Sequence, residues 1–147
     1  MTNYKTGKDL TKEPPRSPHT RLGGFVILAR AIDKCHATIA GNNGEYHFDC
    51  ELDRRLFEWK GIIGNNLKKF ISKGHTDDEI VEWVKKNGVA KSDAEITKWS
   101  DEMDVFAYEG DQEGVDWLQK QRDRLGLAKD ATLFDYLDAD DKASFEK

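Results

Sequence analysis

The sequence has no long hydrophobic run and no recognisable export signal. Its longest apolar stretch, residues 25–29, is far shorter than the roughly 20 residues that a membrane-spanning helix needs. The opening segment MTNYKTGKDLTK lacks the apolar centre of a secretion signal. We therefore expect a soluble, cytoplasmic protein that does not bind membranes.

The sequence also lacks an excess of basic residues and has few cysteines. Its 23 lysines and arginines are outnumbered by 28 acidic residues, which gives a formal charge of −5. Phosphate backbones select basic surfaces, so this balance argues against nucleic acid as a partner. Cys35 and Cys50 are the only two cysteines, and without an export signal we expect both to be reduced thiols.

Familiar metal-binding and catalytic motifs are missing as well. The sequence contains no HExxH, CxxC or Gly-x-Ser-x-Gly pattern and no phosphate-binding loop. A metal site could be assembled only if the segment around residues 42–48 folded back onto the first helix, which would gather Asp33, His36, Glu45, His47 and Cys50. We expect no metal and no cofactor.

The residues that are present predict helices. Apolar side chains recur at helical spacing from Phe25 to Ile39, and Gly41 is placed to end that helix. Asp49 is expected to cap a second helix, whose apolar stripe would be formed by Leu52, Leu56, Trp59 and Ile63.

Later helices are indicated by their capping residues. Thr76 with Glu79 and Ser92 with Glu95 have the spacing of capping boxes. Further helices are predicted over residues 66–73, over residues 112–125 and from about Thr132 onwards. Together these patterns predict an all-α protein with one compact domain of six to seven short helices.

Composition divides the chain into three parts. Residues 1–20 contain all three prolines and are predicted to form an irregular arm that lies over the domain. Residues 21–140 form the helical domain. Residues 141–147 are expected to be an acidic, frayed tail.

A concentration of cationic groups before the first helix predicts an anion-binding site. Arg16 and Arg21 precede Gly23 and Gly24, and helix N-termini offer unpaired amides and a positive dipole end. Tyr46 and His47 would line the same cleft if their loop folds over the helix. The alternative is that the arginines pair with the protein's own carboxylates.

Cys50 is a weak candidate for a catalytic thiol. It lies near the predicted start of the second helix, with Arg54 one turn further on, and both features favour a thiolate. The alternative is a small buried side chain in the first turn of the helix.

The segments DLTKEPPRSP, RLGGFVILARAIDK, AGNNGEYHFDC, LDRRLFEWKGI and GHTDDEIVEWV resemble a bacterial family of small soluble proteins described as a domain of unknown function. The resemblance runs from about residue 9 to at least residue 87 and continues more loosely to the end. It implies a bacterial origin and no particular activity.

The residues themselves favour binding of a small anionic metabolite near the first helix. One alternative is a protein-interaction module that docks a partner through exposed aromatic residues, for which Trp117 with Tyr108 or Phe134 would be the test. A further alternative is a thiol- or metal-dependent enzyme.

Overall fold

A computed structural model describes residues 7–146 of the chain, and in this range it contains only α-helices as regular structure. The all-α prediction is confirmed. The seven helices in this range are α1 (Leu28–Ala40), α2 (Glu51–Lys60), α3 (Gly64–Ile71), α4 (Asp77–Lys86), α5 (Asp93–Asp104), α6 (Gln112–Leu125) and α7 (Leu133–Phe145).

Helix α1 forms the centre of the fold. The apolar residues from Phe25 to Ala29 are completely buried, as are Ile32 and Cys35 further along. α1 packs against α2 and α3, α3 packs on α4, and α6 packs on α7. The main core surrounds α1, and a smaller cluster of Leu118, Leu133 and Tyr136 joins α6 to α7.

Side-chain capping fixes the starts of the later helices. Both predicted capping boxes are present. The Thr76 and Ser92 side chains accept hydrogen bonds from the backbone N–H groups of Glu79 and Glu95. In return, the side chains of these two glutamates accept hydrogen bonds from the backbone N–H groups of Thr76 and Ser92. Thr132 caps α7 in the same way. α6 has its predicted bounds, and Gly126 ends it in a left-handed conformation.

The start of α2 differs from the prediction. Cys50, and not Asp49, is the N-cap residue, and its side chain makes no capping hydrogen bond. Asp49 has a φ of 63°, and its backbone N–H donates to the carboxylate of Asp53 at 2.9 Å. Asp53, in the first turn of α2, therefore binds an amide of the preceding loop, and the prediction that Asp49 is the N-cap residue is wrong. Ile63 likewise lies outside α2, where it is 65% exposed.

Gly23 and Gly24 form a tight turn before α1. Leu22 and Phe25 exchange two backbone hydrogen bonds of 3.0 Å, and the glycines between them have φ values of 60° and 86°. A two-residue turn of this kind needs positive φ at both central positions, which glycine adopts without strain. Helix α1 therefore begins at Leu28, later than the sequence pattern suggested, and the glycines shape the turn before it.

The arm and the tail are both packed onto the domain. Leu10, Pro15 and Pro18 are buried, and the carbonyl of Pro18 accepts a hydrogen bond from Ile27 at 3.0 Å. The expectation of a frayed tail over 141–147 is wrong for its first part, because residues 141–145 continue α7. Residues 1–6 of the arm and Lys147 lie outside the described residues.

The Gly23 turn leads to a stability prediction. An added Cβ at Gly23 would lie 2.3 Å from Val81 Cγ1, in addition to the strain of a positive φ. We expect Gly23→Ala to lower the free energy of unfolding by more than the roughly 1–2 kcal/mol that left-handed backbone alone costs a residue with a Cβ. Chemical denaturation measures this change.

Gly41→Ala is the matched control, since Gly41 also has positive φ but no atom within 4 Å of an added Cβ. Gly41→Ala introduces the same backbone strain but no steric clash of the added Cβ. The account of the turn fails if the two substitutions destabilise the protein equally.

Candidate functional site

One face of the buried helix α1 carries charged residues. Arg30, Asp33 and Lys34 lie three and four positions apart, so they share a face opposite the apolar stripe. All three are buried. A buried charge needs an opposite charge and hydrogen bonds, because its loss of hydration costs several kcal/mol.

Each of these residues binds a different part of the chain. Arg30 donates to both carboxylate oxygens of Asp141 on α7, at 2.7 and 3.2 Å. Lys34 Nζ lies 2.9 Å from Asp53 Oδ1 on α2. Asp33 accepts hydrogen bonds from the backbone N–H of Arg16 in the arm at 2.8 Å and from its guanidinium. The arm, α2 and α7 are thus all tied to α1 through ion pairs.

Lys34 also contacts a thiol. Its Nζ donates to Cys50 Sγ at 3.2 Å, so a single ammonium joins the Asp53 carboxylate and the Cys50 sulfur. Burial raises the pKa of Asp53, while the nearby Lys34 ammonium and backbone hydrogen bonds act in the opposite direction. Cys50 itself is half-buried, at the N-terminus of α2.

Tyr46 adds a hydrogen bond to the ion pair between Arg30 and Asp141. Its hydroxyl donates to Asp141 Oδ1 at 2.8 Å, and its ring lies 5.5 Å from the Arg30 Cζ. Burial and the hydrogen bond to Asp141 raise the pKa of Tyr46 above its usual value, so the phenol stays protonated at neutral pH. The side chain of Asn43 donates to the Tyr46 carbonyl at 2.8 Å and fixes the loop before α2.

These groups line a cleft of about 610 Å³ between the arm, α1, the 44–50 loop, α2 and α7, which we call the main cleft. Two cations and three carboxylates line it, together with a larger apolar surface. Its lining residues are Leu10, Thr11, Arg30, Lys34, Gly44, Glu45, Tyr46, His47, Cys50, Leu52, Leu137, Asp140, Asp141, Ser144 and Phe145.

The structure divides the residues that the sequence predicted for a ligand site. Tyr46, His47 and Cys50 line the main cleft, whereas Gly23 and Gly24 line a separate small pocket against α4 and α5. Neither Arg16 nor Arg21 lines the main cleft. The loop therefore meets α1 as expected, but at Arg30 and Lys34 and not beside Gly23 and Gly24.

Arg16 and Arg21 are each paired with two carboxylates. Arg16 binds Asp33 at 3.1 Å and Asp77 at 2.9 Å, and Arg21 lies 2.8 Å from Asp101 and 3.0 Å from Asp104. A free anion would have to displace these carboxylates, and residues 25–29, which include the first residues of α1, are completely buried. The geometry gives no support to an anion site at this end of the helix.

Sequence reasoning did not identify Arg30, Lys34, Asp53 or Asp141 as site residues. The sequence contained one signal that Arg30 and Lys34 could be buried. Near its start, the first predicted helix has apolar residues around most of its circumference, and Arg30 and Lys34 lie within this helix. Their partners could not be found in this way, because Asp141 lies 111 residues from Arg30.

Two alternative sites can be compared with the structure. Trp117 is 41% exposed and its ring lies 6.4 Å from the Tyr108 ring, but Phe134 is completely buried and cannot join a surface patch.

Among residues 7–146, no three His, Cys, Asp or Glu side chains are grouped so that they could hold a metal ion. In the same range, no helix is long and apolar enough to cross a membrane.

Comparison with known proteins places the chain in a family. A family model described as a domain of unknown function, DUF5069, matches residues 12–143, so the chain belongs to that family. The predicted membership of a family of unknown function is confirmed. A search among curated proteins gave no match.

His19 attaches the arm to α5 and α7. Its Nδ1 lies 2.7 Å from Asp104 on α5, and its Nε2 lies 3.1 Å from Asp135 and 3.9 Å from Asp138 on α7. Arg21 also binds Asp104. Burial alone would lower the pKa of His19, but its hydrogen bonds to Asp104 and Asp135 outweigh burial and raise it.

We expect His19 to stabilise the fold most when it is protonated. A raised pKa adds stability that is fully present below the ordinary histidine pKa of about 6.5 and is lost as the pH rises through the folded-state value. The difference in unfolding free energy between wild type and His19→Gln should therefore shrink as the pH rises above about 6.5. Urea denaturation across this range is the measurement, and a difference that grows with pH would contradict the assignment.

Proposed function

We propose that this member of the family binds a small organic molecule in the main cleft. The observation that supports the proposal is the placement of Arg30 and Lys34, each paired with a buried carboxylate, in the wall of a largely apolar cleft. Small-molecule sites typically combine an apolar lining with a few fixed polar groups. The main cleft has both features.

The charges of the lining indicate the class of ligand. Three carboxylates and two cations line the cleft, and both cations are already paired. A multiply charged phosphate ester would meet net repulsion there. In place of the anionic ligand expected from the sequence, we therefore propose a neutral or singly charged molecule with an apolar body.

Lys34 supplies the most suitable polar contact for such a ligand. An ammonium has three N–H donors, and among the described residues its partners are Asp53 and Cys50. A carbonyl or carboxylate oxygen of the ligand would use the remaining donor. The apolar body would then pack against Leu52, Leu137 and Phe145, which line the same cleft.

The proposal places the protein in the cytoplasm of a bacterial cell. Both cysteines are free thiols, which a reducing compartment maintains. A ligand of the class proposed here is therefore to be sought among intracellular metabolites.

Ligand binding is tested by thermal unfolding with a panel of small ketones, amides, monocarboxylic acids and phosphate esters at fixed ionic strength. A ligand that binds only the folded state, at about a hundred times its Kd, adds roughly 2.7 kcal/mol to stability. We expect a ketone, amide or monocarboxylic acid to raise the melting temperature, and the phosphate esters to have no effect.

Two tryptophan substitutions on α7 locate the effect. Ser144 lines the main cleft, so Ser144→Trp should fill it and abolish the shift. Ala143 is exposed and does not line it, so Ala143→Trp should leave the shift intact. If no compound stabilises the wild type more than the Ser144→Trp variant, the main cleft is not the binding site.

A further inference from the structure

We propose that Cys50 is a nucleophilic thiol that exchanges with low-molecular-weight disulfides bound in the main cleft. The inference rests on the proposed function, because the organic part of the disulfide would occupy that cleft. It assigns a covalent modification site to a residue that the sequence marked only as a weak catalytic candidate.

The first support is the position of Cys50 relative to a cation. Lys34 Nζ lies 3.2 Å from the sulfur, and the ammonium is itself held by Asp53 at 2.9 Å. Nucleophilic cysteines are typically found beside a cation, and they react with disulfides through their sulfur. Cys50 also begins α2, whose N-terminal dipole favours negative charge.

The second support is access. Cys50 is half-buried and lines the main cleft, so a small molecule in the cleft can reach its sulfur. Cys35 provides the contrast within the same chain. It is completely buried in the main core, and burial raises its pKa to about 12, which keeps it a thiol at neutral pH. The two cysteines therefore differ in access and in their contact with a cation.

The lining also selects among disulfides. Three carboxylates line the cleft, so a neutral disulfide should enter more readily than an anionic one. Leu52 and Leu137 offer apolar surface to an uncharged organic group.

The reaction is a simple exchange. The Cys50 thiol loses its proton to solvent, and its sulfur attacks one sulfur of the bound disulfide. A new S–S bond forms to Cys50 as the S–S bond of the disulfide breaks. The other sulfur leaves with the electron pair and takes up a proton, so Cys50 is oxidised to a mixed disulfide and one free thiol is released. The sequence contains only one other cysteine, the buried Cys35, so the mixed disulfide is the expected product.

The experiment uses the folded chain of residues 1–147 and neutral dipyridyl disulfide at neutral pH. Release of the pyridine thiol is followed by absorbance, and the modified residue is identified by mass spectrometry without reduction. We expect one adduct per chain, at Cys50, in the wild type and in Cys35→Ser. Modification at Cys35, or no adduct at Cys50, would overturn the proposal.

The role of Lys34 is tested by removing both charges of its ion pair. Lys34→Met combined with Asp53→Asn leaves no unpaired buried charge, and the asparagine oxygen can still accept the Asp49 N–H. Loss of the charge-assisted hydrogen bond to sulfur should slow the reaction by about tenfold. An unchanged rate in a folded double variant would contradict the assignment.

The tryptophan variants test the site without disturbing the ion pair. Ser144→Trp should slow modification of Cys50, and Ala143→Trp should not. Equal rates in these two variants would show that the thiol reacts from solvent and not through the cleft, against the proposal.

Reversible ligand binding is measured separately in Cys50→Ser. A ligand shift that persists there while wild-type Cys50 does not react would reject this inference and leave the proposed function standing.

Discussion

Burial of α1 on all sides is the constraint on which the rest of the structure depends. The helix carries Arg30, Asp33 and Lys34 into the interior, and an unpaired buried charge would cost several kcal/mol, a large part of the stability of a typical domain. Arg16, Asp53 and Asp141 supply the opposite charges. The positions of the arm, α2 and α7 are therefore set together, and the main cleft lies among them.

Local signals in the sequence predicted much of the helical fold. The capping residues Thr76, Ser92 and Thr132 act through neighbours three positions away, so their effect can be read from a short segment. The start of α2 could not be predicted in this way. Asp49 looks like a cap residue, but a buried carboxylate one turn later, on Asp53, bonds the loop amide instead. The sequence shows that Asp53 follows Asp49 by four positions, but it does not show that the Asp53 carboxylate is buried.

The candidate site was predicted only in part, for a similar reason. Tyr46, His47 and Cys50 stand close together in the chain and also line one cleft. Arg16 and Arg21 were expected to bind a ligand, yet carboxylates from α1, α4 and α5 bind them instead. A sequence rich in acidic residues offers many partners to each arginine, and only the packing decides which are reached. A polar helix face is typically exposed to solvent, and the sequence did not show which elements would cover the polar face of α1.

A double-mutant cycle on Arg30 and Asp141 tests most directly whether buried ion pairs hold the elements around the main cleft. Arg30→Met leaves the Asp141 carboxylate without its cation, and Asp141→Asn leaves the Arg30 guanidinium without its anion. Each single substitution should lower the free energy of unfolding by about 3 kcal/mol, which is typical when one partner of a buried pair is removed. The double variant should be destabilised by at least about 1 kcal/mol less than the sum of the two single effects. Strictly additive effects would contradict the account, since they would mean that the two charges do not depend on each other.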